Sequence, residues 1–205
     1  MTRQDTRGRI LTAATDLFGR RGVEAVSLDV IAAEVGVAKQ TLLYWFPSKD
    51  ELAAAVMADV ADQLSVAVTA AVRAAPDDPL ARVDAVVRAV FRPAVRRPAL
   101  LGLVREVSRM KPDVAEQLAR ELAPLVDRAT AYLEAEMDAG RLRRCDPRLL
   151  AALCYATVTG IATEPEALRT VGWDASTVGL RRLRAELLAF LRAALSPGQA
   201  TYGSA

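Results

Sequence analysis

Between residues 35 and 52 the chain reads VGVAKQTLLYWFPSKDEL, a run dense in side chains able to contact a polyanion. Gln40 can pair bidentately with an adenine edge, Thr41 can touch a thymine methyl or a phosphate, and Lys39 can reach guanine or phosphate. The same stretch could instead be a tight corner of a helical domain, with Tyr44, Trp45 and Phe46 as an aromatic core cluster. Phe46 suits that core. Tyr44 and Trp45 stay open between surface contact and partial burial, since two successive helical residues cannot both face inward as Phe46 does. Lys49 falls in the first turn of a following helix, where positive charge opposes the helix dipole unless a phosphate lies in front of it. Arg3, Arg7 and Arg9, against Asp5 alone, make a short basic arm that either lies along phosphates or frays in solvent.

The elements that must hold these groups follow from periodicity and breakers. Ile10, Ala13, Ala14, Leu17 and Phe18 keep the i, i+3, i+4, i+7, i+8 pattern of an amphipathic helix over about 4–21, which Gly22 can close in a left-handed cap. Ser27 offers an N-cap for a short helix over 28–35 that Gly36 ends. A third helix runs from Ala38 or Lys39 to Trp45 and stops because Pro47 pushes Phe46 out of the α region. Ser48-Lys49-Asp50-Glu51 has the form of a capping box and opens a long helix to about Arg73. Further helices are expected over 80–92, 98–110, 113–139, 147–170 and 175–195, with Pro93 and Pro98 as breakers, Pro165 as a kink and the tail from Ser196 mobile. The fold class is therefore all-α.

Composition narrows the function. Hydrophobic residues are 52% and charged residues 25% of 205, the profile of a globular protein. The net charge is +2, and residues 1–52 hold seven Lys/Arg against seven Asp/Glu, so any nucleic-acid contact must come from local placement rather than bulk charge. Cys145 and Cys154 lack CxxC spacing and there is no histidine, so no metal or other cofactor is expected. With no glycine-rich phosphate loop and no nucleophile–base pair, an enzyme is not expected either. The longest uncharged run, Leu149–Thr163, is 15 residues, short of the roughly 18 of a spanning helix, and no apolar signal core follows the N-terminus. A cytoplasmic location without a membrane partner is the expectation.

A helix, a glycine turn and a second helix form the helix-turn-helix unit. In this order, and with the content of AATDLFGRRGVEAVSLDVIAAEVGVAKQTLLYWFPSKDEL, the chain resembles the TetR (tetracycline-repressor-like) family of transcriptional regulators. The resemblance covers about a fifth of the chain. It implies that Ser27 and Thr41 touch phosphates or base edges, that Lys39 and Gln40 read bases, and that Tyr44 and Trp45 contact the backbone. It also makes Lys49 a phosphate anchor; Arg7 is a candidate contact only through the basic arm read from the residues themselves. Two residues depart from the family pattern: Leu43 replaces a tyrosine with a phosphate-binding hydroxyl, and Ala38 replaces a Ser/Thr cap. Each removes a contact.

The resemblance further implies a three-helix DNA-binding head over 1–52 and a helical ligand-binding and dimerisation domain over 53–205. The expected partners are double-stranded operator DNA, a small-molecule effector and a second copy of the chain. Segments 148–163 and 178–195 suit a two-fold four-helix interface, the second through Val178, Leu183, Leu187, Leu188, Leu191 and Leu195; the other possibility is that both finish the monomer core. Phe91, Leu101, Val104, Leu122, Tyr155 and Trp173 could line an apolar effector site, with Arg105 and Ser108 orienting the ligand, although core packing explains each apolar residue as well. The rival reading is a helical ligand-binding or interaction protein whose DNA head has weakened.

Overall fold

The computed structural model describes residues 3–97, 99–107, 112–163, 169–170, 172–173 and 176–197, and among them regular structure is entirely helical. The major helices are α1 (Arg3–Arg21), α2 (Leu28–Val35), α3 (Lys39–Trp45), α4 (Lys49–Ala74), α5 (Pro79–Arg96), α6 (Ala99–Val107), α7 (Pro112–Asp138), α8 (Pro147–Thr163) and α9 (Thr177–Leu195). The first four agree with the expected spans to within a residue or so, because each end carries its own signal. Gly22 and Gly36 adopt positive φ at the ends of α1 and α2, while Ser27 and Ser48 accept from the amides of Val30 and Glu51.

Ile10, Ala14 and Phe18 of α1, Ile31 and Val35 of α2, Leu42 of α3 and Leu52 and Val56 of α4 share one buried cluster. That cluster does not stop at residue 52. Met57 of α4 and Leu103 of α6 are buried in it, and Leu100, Val107 and Leu118 pack against it. The expected boundary at 52 falls inside the unbroken helix α4, which serves both parts of the chain. By length and composition α4 is also apolar enough to cross a membrane, and Leu52, Ala53, Val56 and Met57 of it lie in the cluster shared with the first three helices and α6.

The crossing of α6 over α1 is unusually close. A Cβ placed on Gly102 would lie 1.9 Å from the Gly19 carbonyl oxygen, so this approach tolerates no side chain at 102.

Two expectations about the larger part change. Pro93 does not end α5, which runs on to Arg96. Proline there removes one N–H near the helix C-terminus, where few residues remain to be disturbed. The leucines of α9 turn inward: Leu188 and Leu191 join Val87 and Phe91, Leu183 and Leu187 pack against that cluster, and Leu195 meets Met137 and Leu142. Asp84 of α5 and Arg192 of α9 lock these helices together by a two-point ion pair, Nε to Oδ1 at 3.1 Å and Nη2 to Oδ2. Pro165 and the tail beyond 197 lie outside the described residues.

Candidate nucleic-acid interface

The corner between α2 and α3 is set by Gly36, whose φ of +74° lets the Val37 N–H return to the Ala32 carbonyl at 2.9 Å. Ala38 then stands extended at the N-cap of α3 without a side-chain bond to the helix. Leu42 is fully buried and Phe46 nearly so, which anchors one side of this two-turn helix in the core. The remaining positions follow from the helical repeat: Lys39, Gln40, Thr41 and Tyr44 are exposed, Tyr44 by 65%. Trp45 is partly buried against the core and meets Tyr44 edge-on, ring centroids 5.3 Å apart. Thr6 of α1 completes a shallow concavity with Gln40, Thr41, Tyr44 and Trp45. Thr6 is not among the expected contacts; it continues the stripe Ile10–Ala14–Phe18 of α1 by one turn, the spacing that brings it beside α3.

The cations have partners within the chain. Lys39 Nζ lies 2.8 Å from Asp29 Oδ2, a pair that is half exposed. Lys49 donates to the carbonyls of Val23 at 3.1 Å and Glu24 at 3.3 Å, and sits 3.6 Å from the Glu24 carboxylate. These carbonyls explain a lysine in the first turn of α4 without a phosphate. Arg7 lies over the Phe46 ring at 5.4 Å, and Arg9 donates to the Val35 carbonyl at the negative end of α2. Both arginines are thus on a formed helix rather than a frayed arm. Ser27 Oγ accepts from the Val30 amide at 3.3 Å, which leaves its own proton for a further acceptor.

Residues 10–56, the stretch that carries this corner, match the bacterial regulatory proteins of the tetR family. Over 151 residues the chain is 30% identical to the HTH-type transcriptional regulator RutR of Escherichia coli, covering 72% of this chain and 69% of that one. The chain belongs to the tetR family. It is a DNA-binding transcriptional regulator. A second relative, the HTH-type transcriptional activator FasR of Mycolicibacterium smegmatis, is 38% identical over 91 residues, 44% of this chain and 41% of that one. In fold, this tetR-family chain is similar to a TetR regulator of Chloroflexus aurantiacus, with TM-score 0.76 at 20% identity over 96% of this chain and 98% of that one. It is likewise similar to FadR of Bacillus subtilis in complex with stearoyl-CoA, with TM-score 0.75 at 16% identity over 90% and 96% of the two chains.

The residues considered for an effector are spread over several surfaces of the tetR-family fold. Leu101 and Val104 are partly buried and Arg105 is exposed, all on α6, which packs on α1 through Gly102, Leu103 and Glu106 and also meets α8. Leu122 on α7 and Trp173 are partly buried, the latter with its ring nitrogen enclosed. Phe91 belongs to the α5–α9 core beside Leu188 and Leu191, and so is occupied by packing. Tyr155 is 64% exposed on α8 and belongs to the outer surface rather than to an interior lining. Ser108 lies outside the described residues.

Proposed function

We propose that this regulator is a homodimeric repressor that places two copies of α3 in successive major grooves of a near-palindromic operator, in the cytoplasm and without enzymatic activity. The observation that carries the reading is the outward face of α3. Lys39, Gln40, Thr41 and Tyr44 stand exposed on a helix whose opposite side, through Leu42, is fixed in the core. Gln40 would read base edges, Lys39 would reach guanine or phosphate, and Thr41, Tyr44, Trp45, Ser27 and Arg7 would hold the backbone around them. Lys49 would reach phosphate only by sharing or leaving its carbonyl partners.

A second copy is supported by what α8 and α9 leave uncovered. Leu149, Leu153 and Tyr155 on α8 and Val178 and Phe190 on α9 are all more than half exposed, a large apolar area for a single chain. The effector is an apolar or amphipathic small molecule bound beside α6, near Leu101, Val104 and Arg105. The fold neighbour seen with stearoyl-CoA supports that class of ligand. Such a ligand weakens DNA binding only by its differential affinity for two states of the dimer.

The direct test is titration of the purified protein against the promoter fragment beside its own gene, at several salt concentrations and against scrambled DNA. Tight, salt-dependent and sequence-selective binding is expected. Equal binding to both fragments, followed by no enriched sequence in a selection from random duplexes, would sink the reading.

A further inference from the structure

At the end of α1 the backbone on either side of one residue, Val23, is gripped from both parts of the chain. Gly22 leaves the helix at φ +80°, with its N–H on the Phe18 carbonyl at 2.8 Å. The next residue, Val23, donates its N–H to Glu106 Oε2 of α6 at 2.9 Å. Its C=O accepts from Lys49 Nζ, at the start of α4, at 3.1 Å. Glu106 is only 5% exposed. A carboxylate withdrawn from water is costly unless its oxygens are bonded, so its place among the apolar contacts of α6 calls for a reason beyond packing.

The two bonds flank one Cα, so a shift of Val23 that lengthens one also moves the acceptor or donor of the other. Lys49 follows Trp45 by four residues, with the Phe46–Pro47–Ser48 corner between them. The point where its ammonium is tied therefore helps set how that corner, and the C-terminal end of α3, sits against α1. The Gly19–Gly102 approach holds α6 firmly on α1 beside the same turn.

We propose that Glu106 is a positioning residue for DNA binding: by holding the Val23 backbone through its N–H it fixes the carbonyl on which Lys49 docks and, through it, the corner that follows the recognition helix. The proposal rests on α3 being the DNA-contacting element. It gives α6 a route to the head that needs no swing of α4, because a shift of about 1 Å is enough to break a hydrogen bond of ordinary length.

A double-mutant cycle on the full chain tests it, with Glu106→Gln, Lys49→Met and the two together. The readouts are affinity for a duplex that the wild-type protein selects from random DNA, and amide exchange at Val23 by NMR. Glutamine keeps an acceptor of the same size and spares the fold. Glu106→Gln should lower affinity about fivefold when Lys49 is present and less than about twofold when it is methionine, while the Val23 amide exchanges roughly tenfold faster. Glu106→Ala should go further in the same direction. Equal loss in both backgrounds would show that the two residues act separately and would overturn the proposal. Unchanged affinity beside faster exchange at Val23 would overturn it too. Should the wild-type protein select no duplex, the DNA reading itself fails. The same cycle read on Val23 exchange then decides the joint, with coupled effects for it and additive effects against it.

Discussion

The carboxylates of Asp29 and Glu24 lie against the ammonium groups of Lys39 on α3 and Lys49 at the start of α4, two lysines proposed to meet DNA. An exposed pair such as Lys39–Asp29 is worth at most about 1 kcal/mol, so Lys39 can be drawn away in competition with its carboxylate, whereas Lys49 must also leave the carbonyls of Val23 and Glu24. Asp29→Asn should therefore raise affinity for all duplexes by about threefold and steepen the dependence of log K on log salt by about one, as one more phosphate contact forms. Titrations at four salt concentrations check this, and an unchanged slope would remove Lys39 from the phosphate set. Gln40→Ala acts differently: it should relax base preference at one position of each half-site, by about 1–3 kcal/mol, with the salt slope intact. A selection experiment with the variant would show an unaltered motif if Gln40 reads no base. Helical spacing alone gives α3 an inner side through Leu42 and an outer side through Gln40 and Thr41; it leaves Tyr44 and Trp45 open between surface and core, and the structure exposes the first and partly buries the second. The partners of Lys39 and Glu106 were not legible in the sequence, since they lie 10 and 83 residues away along the chain, where spacing carries no information.

Among the elements, α3 lacks the side-chain N-cap that Ser27 and Ser48 give α2 and α4. Its N-cap, Ala38, gives no side-chain bond, so the first amides of a two-turn helix rely on the carbonyl of Ala38, which receives Thr41 and Leu42. Ala38→Ser should add about 1 kcal/mol to stability, a rise of roughly 2–4 °C in Tm, and should not weaken operator binding. Thermal melts with and without DNA would reveal the opposite result if the Ala38 methyl were needed at the interface. Helix ends were readable because caps and glycines are local signals. The fate of the α9 leucines was not, because an apolar stripe fits a monomer core and a dimer seam equally until its neighbours are known. The end of α7 supplies a pH dependence. The hydrogen bond from Arg141, at 2.5 Å, and then the positive charges of Arg141 and Arg82, hold the Glu136 carboxyl below its ordinary pKa against the upward push of burial. A depressed carboxyl stabilises the fold above its unfolded pKa, near 4.3, and that contribution fades as pH falls through the lower folded value. The Tm advantage of the wild-type protein over Glu136→Gln should thus be fully present at pH 7 and shrink on acidification below about pH 5. A gap that stays constant between pH 7 and pH 3 would exclude that role.

At the scale of the molecule, the uncovered faces of α8 and α9 bear on how the chain binds DNA at all. Leu153→Arg puts a charge in the middle of the exposed stripe and should leave the fold intact while giving monomers in sedimentation. Operator affinity should fall about a hundredfold as two linked half-site contacts become one. A variant that stays dimeric would move the interface elsewhere. The close crossing at Gly19 and Gly102 has a consequence for anyone who would recombine these proteins. A head cut at the α3–α4 corner and grafted onto a relative's body leaves behind Leu103, which completes its core, and the glycine against which its first helix lies. What is exchangeable is a head together with the facing surface of α6, so the unit of inheritance for DNA specificity in such chimeras is discontinuous along the chain.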